Sequence, residues 1–475
     1  MFCLVVMAAE LVVGTSLTFA GLSFLFLMLS VFAFNQAGGL YYPSGSYVFF
    51  VSLLTFDVGL IAKIVLGEPA ETNLLHAEKT MLVYVAGMAS MYLAVVASSR
   101  LRRRKALLQD MLQEDNTRAV AIGCLVVSLS GFVLPRELQS AWGQSGYLFM
   151  FMAIMLPVHK RVKETGGWKS FNLISFAAWF TNTVAGSLAF SKQGMFVASV
   201  CWGVAAIAAG YRVTLKKALI LLVLIYLSAT YLTPVAQIGR NMVGEAPTFD
   251  KEMNVAVELL SHPVDTRDAW ARESLQHQEE NIFYYHWYDE PQGLVDRLNM
   301  FSMDDALIYY TDHGVKGNLA SIGAEVVNVV PRFLYPNKPD VNIGNQDAHK
   351  IGVLADEDVT TGVSFGPFAD GYHTGQWLGI TLIVFLIWFF VFLIVDSVAG
   401  DIRKSIWGLL YVMLYSHGAP EGLLVFPIYT AGLVTLAIIG AAFLIAKVVP
   451  VIGSFMSMPQ RRLLREVSVS RSAGQ

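Results

Sequence analysis

Apolar residues run along this chain in long blocks that lack a polar face. A bilayer crossing needs about 20 such residues in helical form. Blocks of about that size fall at 15–34, 46–66, 77–98, 118–134, 143–159, 170–188, 193–210, 216–234, 376–396, 405–418 and 423–447. In lipid every backbone amide must be satisfied inside its own segment, so these blocks are helices. The pattern predicts an all-α polytopic membrane protein with 11 spans, or 12 if the run 2–34 divides near Gly14. That run is too long for the apolar part of a signal peptide and lacks a basic leader and a small-residue cleavage site. It is therefore read as a membrane anchor, either one tilted helix or two short ones.

Between Pro234 and Gln376 the pattern stops. Four regions follow: a bundle of seven to nine spans over 1–234, a large polar loop over 235–375, C-terminal helices over 376–450 and a basic tail over 451–475. The loop contains Trp270, Phe283, Tyr284, Tyr285, Trp287 and Tyr288, with Leu294, Met300 and Phe301 ahead of a helix expected to start at Ser302 as N-cap. Pro331, Pro336 and Pro339 predict an extended segment there. A loop with this many aromatic residues is expected to be ordered and packed over the membrane face. No internal repeat is visible.

Composition supports the membrane reading. The chain has 475 residues, 55% hydrophobic and 15% charged, with mean hydropathy +0.54; soluble domains carry about 25% charged residues. The net charge of −3 conceals a segregation. The loop holds 22 of 36 acids and 9 of 33 bases, a balance of −13, which leaves the membrane part 14 acids and 24 bases, or +10. Neither part looks like a nucleic-acid binder. Cys3, Cys124 and Cys201 all lie in apolar runs, so no disulfide framework or thiolate metal site is implied.

Basic connections set the orientation. Arg100, Arg102–Arg104 and Lys105 follow the third span; Lys160, Arg161 and Lys163 the fifth; Arg212, Lys216 and Lys217 the seventh. Arg403 and Lys404 follow the ninth, and Arg461, Arg462 and Arg465 the last. All five clusters fall on one side, cytoplasmic by the positive-inside rule, which puts the acidic loop and its chemistry outside.

Three loci carry candidate chemistry. Arg332 and Lys338, six residues apart in the proline-stiffened segment, could close on one anionic group, a planar fork beside a point charge. The plainer reading is an anchor to headgroups or to the loop's own acids. In Ser191-Lys192-Gln193-Gly194 a hydroxyl, a lysine and a glycine open the helix at Met195, a ready anion site; a lysine snorkelling to headgroups is the plainer account. Asp370 and His373, at the return into the membrane, share a face if helical, and either could serve as a general base for a sugar hydroxyl. Asp370 could instead orient the imidazole, or merely cap the ninth span. Glu421, in another short external turn, could line the same site.

Glu10, Asp57, Lys63 and Asp396 fall within spans, where ionisable residues are functional candidates by default. No span shows a proton-relay or voltage-sensor ladder. The loop's His and Asp residues lack metal-ligand spacing, and Asp356-Glu357-Asp358 reads as a solvated turn. No nucleotide loop is present, and no cofactor or metal is expected.

Together these residues resemble the Wzy-type O-antigen and oligosaccharide repeat-unit polymerases of bacterial inner membranes. The resemblance covers the many spans with one large periplasmic loop before the last helices. It extends to Val330–Pro339, similar to that family's proline-arginine loop with proline-x-lysine-proline, and to the glycine-rich stretch from Ser364 to Gly379. Ser191-Lys192-x-Gly194 looks like the serine-basic-x-glycine turn shared with O-antigen ligases, though lysine stands where arginine is common.

The resemblance implies a fold similar to the C-type lipid-dependent glycosyltransferases and a metal-independent glycosyltransferase. It would join polyprenyl-diphosphate-linked repeat units into O-antigen, capsule or exopolysaccharide at the periplasmic face. Arg332, Lys338, Lys192 and Ser191 would then hold the diphosphate, and Trp287 and Tyr288 would stack on sugars. His373, Asp370 or Glu421 would supply the base. Implied partners are the lipid-linked donor and acceptor, membrane lipid, a chain-length regulator and a repeat-unit flippase. The alternatives are an O-antigen ligase-like transferase and a transporter or flippase; the inverted repeats and broken helices of a transporter are not seen.

Overall fold

The computed structural model describes residues 1–112, 116–131, 136–244, 248–280, 287–290, 299–330, 335, 342–354 and 362–457. Among them the protein is all-helical, and the only extended pairing is a single bridge between Phe365 and Gly422. Each expected apolar block falls on a helix. Six helices are long and apolar enough to cross a membrane: Leu17–Ala37, Pro43–Leu66, Ala77–Leu101, Leu215–Val243, Pro367–Ala399 and Val425–Lys447. Others, such as Thr117–Ser130, Leu173–Leu188 and Gln193–Ala208, are apolar but shorter.

The N-terminal run divides. Helices Phe2–Val12 and Leu17–Ala37 meet at Gly14, whose φ of +96° is open to glycine and strained for other residues. The Ser16 hydroxyl then caps the second helix by accepting from the Phe19 amide. Two expected boundaries move outward. The eighth span runs through Pro234 to Val243, and the ninth begins at Pro367 rather than Gln376. Gln376 instead marks a break inside that helix, with Gly375 and Gln376 in non-helical conformations.

The chain forms two compact units. One comprises residues 108–268, 405–410 and 437–475. In it, helix Phe249–Ser261 buries Val255, Ala256 and Leu259 against Val235, Val243 and Phe190. The turn between Leu173–Leu188 and Lys192–Ala208 is tight, and Phe190 adopts φ +46° within it.

The other unit, residues 1–107, 269–404 and 411–436, contains the candidate site. Its core is an aromatic cluster in which Phe301 lies 4.8 Å from Phe56, 4.9 Å from Tyr84 and 4.8 Å from Trp287, between ring centroids. Loop residues thus pack directly onto the membrane-type helices Pro43–Leu66 and Ala77–Leu101. Gly59 permits the approach, since a Cβ there would stand 2.4 Å from the Trp287 ring.

The unit's two ends differ. At one, Arg102 bonds Asp396 at 3.3 Å and stacks on Tyr42, Arg403 stacks on Tyr41, and the Leu107 amide donates to Ser397. At the other, Asp304 and Asp305 of helix Phe301–Asp312 hold the starts of two spans. Asp305 accepts from the amides of Leu75 and His76, just ahead of Ala77–Leu101, and from the Thr80 hydroxyl in that helix's first turn. Asp304 accepts from the Gly366 amide, which opens the Pro367 helix, and from the Tyr84 hydroxyl, both at 2.7 Å. The helix starts at Phe301, not after Ser302, and Ser302 makes no cap. Burial pushes the Asp304 carboxyl up to about 7 and the Asp305 carboxyl up as well.

Candidate active site

The first turns of helix Pro367–Leu378 carry Asp370 and His373, three residues apart. Both line a cavity of about 280 Å³, together with Gly317, Asn318, Gln346, Asp347, Lys350 and Thr374. Small and apolar residues, among them Ala324 and Ile343, complete its walls. The expected pairing of Asp370 and His373 on one face is present. Asp347 and Lys350, which the sequence did not single out, join them from helix Ile343–Lys350.

His373 is 1% exposed. Its Nδ1 lies 2.7 Å from Thr311 Oγ1, and that hydroxyl donates its one proton to the Leu307 carbonyl at 2.6 Å. Thr311 must therefore accept from the imidazole, so the neutral ring carries its hydrogen on Nδ1 and a bare lone pair on Nε2. Nε2 has no hydrogen-bond partner and faces Asp347 Oδ1 at 3.6 Å. Gly317 makes room on that edge: its amide donates to the His373 carbonyl, and a Cβ there would stand 2.6 Å from His373 Cδ2. The arrangement is a buried imidazole whose neutral tautomer is fixed and whose Nε2 lone pair has no hydrogen-bond partner.

Lys350 Nζ donates to Asp347 Oδ1 at 2.6 Å. Burial alone would push the Asp347 carboxyl up, but His373, when protonated, and Lys350 outweigh it and hold it below the usual carboxylate range. Asp347 is thus an anion beside His373, able to stabilise an imidazolium. Asp370 neither orients the ring nor caps the helix. The N-cap is Gly366, and the imidazole is oriented by Thr311. Asp370 Oδ2 instead accepts from the Leu424 amide at 2.7 Å, while Oδ1 faces the Thr374 hydroxyl. Leu423, at φ +52°, turns the chain so that this amide points inward. Strained non-glycine residues of this kind collect at functional sites.

Other expected site residues lie elsewhere. Glu421, three residues before Leu424, does not line the cavity. Trp287 and Tyr288 are 1% and 2% exposed. The Trp287 ring stacks on Phe56 and its Nε1–H donates to the Ala70 carbonyl, so neither ring offers a face to a sugar. In the first-described unit, Ser191 spends its hydroxyl as N-cap, accepting from the Gly194 amide at 3.1 Å, and the helix opens at Lys192 rather than Met195. The Lys192 side chain, Arg332, Lys338, Phe283–Tyr285, Leu294, the acidic turn 356–358 and the tail beyond 457 lie outside the described residues.

Among the ionisable residues within spans, Asp396 accepts from the Ser44 amide and hydroxyl and from Arg102, and Lys63 pairs with Glu68 at 2.7 Å. Both are structural partnerships. The cysteines are free and buried. Among the described residues no group of three His, Cys, Asp or Glu side chains could hold a metal ion.

Among the described residues all regular structure is helical and six helices are fit to cross a bilayer, which defines the class: a multi-pass membrane protein. Beyond the class, no family model, curated protein or solved structure matches the chain.

Proposed function

We propose that this protein is a glycosyltransferase that joins polyprenyl-diphosphate-linked oligosaccharide repeat units on the outer face of a bacterial inner membrane. The observation that carries the reading is the buried, unpartnered Nε2 of His373, a residue that lines a cavity where a membrane-type helix begins. In the reaction His373 Nε2 takes the proton of the acceptor hydroxyl as its oxygen bonds the donor's anomeric carbon. The bond from that carbon to the polyprenyl diphosphate breaks, and the diphosphate leaves with the electron pair. Asp347, at 3.6 Å, stabilises the imidazolium that forms.

The motif resemblance supports this reading, with Arg332 and Lys338 proposed to meet the diphosphate. The placement of basic connections at one end of the site-bearing unit, and of Asp304 and Asp305 at the other, agrees with a loop outside and arginines inside. The test is purified protein supplied with lipid-linked repeat units. His373→Ala is expected to lower turnover by about 10²–10⁴-fold while leaving the protein folded. Polymer formed at the wild-type rate would remove His373 from the chemistry.

A further inference from the structure

The cavity beside His373 has a charge balance that selects its occupant. Among the described residues of its lining Lys350 is the single lysine or arginine, and it is already paired with Asp347 at 2.6 Å. Two carboxyl groups, those of Asp347 and Asp370, share the same walls. A diphosphate entering here would meet these carboxyl groups with no unpaired lysine or arginine among the described lining residues to compensate it. An anion taken from water without a partner is strongly disfavoured.

The remaining polar lining suits a neutral, hydroxyl-rich ligand. The His373 lone pair accepts a hydroxyl proton. The side-chain amide of Gln346 combines donor and acceptor, as ring hydroxyls require. A volume of about 280 Å³ corresponds to about nine waters, at about 30 Å³ each, which fits one sugar ring rather than a chain.

We infer that this cavity is the acceptor subsite, that it takes a single uncharged sugar ring, and that it excludes both the donor's diphosphate and acidic sugars. The inference rests on the reading of His373 as the acceptor's base. It assigns the diphosphate to a site other than this cavity and predicts that the acceptor residue of the repeat unit is uncharged. Asp347 sets this preference as well as stabilising the imidazolium.

The test uses full-length protein in detergent at pH 7, titrated by calorimetry with a panel of neutral methyl hexosides, the matching uronosides and inorganic pyrophosphate. At least one neutral hexoside should bind, its uronoside at least tenfold more weakly. Pyrophosphate should not compete. Ala324→Trp, which fills the cavity from a wall outside the His373 cluster, should remove hexoside binding. Asp347→Asn, which removes a carboxylate and releases Lys350, should bring uronoside binding level with hexoside binding. No binding of any hexoside, equal binding by the wild type of both sugar classes, or displacement by pyrophosphate would overturn the inference. Because binding is measured apart from turnover, hexoside binding without polymer formation would retain the subsite and discard the polymerase. Polymer formation with pyrophosphate in the cavity would do the reverse.

Discussion

Thr311 and Gly317 decide whether His373 can act as a base. Thr311→Val keeps the shape but removes the only acceptor for Nδ1–H, so the hydrogen can move to Nε2 and block the lone pair. Losses from such positioning partners run to about 10–100-fold, and here the loss should fall on kcat rather than KM. Thr311→Ser should restore activity; equal rates in Val and Ser variants would show that the hydroxyl does not set the tautomer. Gly317→Ala should push the ring from its place, because the new methyl would overlap Cδ2. Asp370 and His373 were legible in the sequence because their spacing brings them to one face of a helix. Thr311, Asp347 and Lys350 were not, since only folding of distant segments assembles them. Trp287 and Tyr288 were misread for a related reason: an aromatic ring in a polar stretch looks the same in sequence whether it faces sugar or core.

At the scale of elements, helix Phe301–Asp312 acts as a clamp on two helix starts. Asp305→Ala would leave two amides and a hydroxyl without their acceptor, a loss of about 1–3 kcal/mol readable as a lower thermal midpoint. Asp304 adds a pH dependence. Its carboxyl rises from an ordinary 3.8 to about 7 on folding. Between those values the folded protein holds a proton that the unfolded chain has lost, so this group's contribution to stability falls as pH rises through that window. Asp304→Asn still accepts from the Gly366 amide and does not ionise. Its thermal midpoint should therefore gain on the wild type steadily from pH 4 to 7, and parallel curves would show that Asp304 does not titrate there. The break within Pro367–Ala399 makes a separate prediction. Gln376, at φ +50°, sits where side chains are strained, so Gln376→Gly should raise stability by about 1 kcal/mol.

For the whole molecule, the apolar blocks were legible because lipid imposes one pattern on every crossing helix, and each became a helix. Their ends were less so, since the Pro367 start depends on an aspartate more than sixty residues away in sequence. The proposed orientation predicts that Gln276→Cys labels from outside and Ser468→Cys from inside; the opposite result would overturn the mechanism with it. The clamp also bears on the order of synthesis. Asp305 meets residues already made, Leu75, His76 and Thr80, whereas one partner of its neighbour Asp304, Gly366, leaves the ribosome later. A nascent chain thus fastens this segment to an early helix by one carboxylate and leaves the adjacent one half-occupied. The span bearing His373 completes that junction on arrival, so the site is closed by the same event that finishes the chain's return to the membrane.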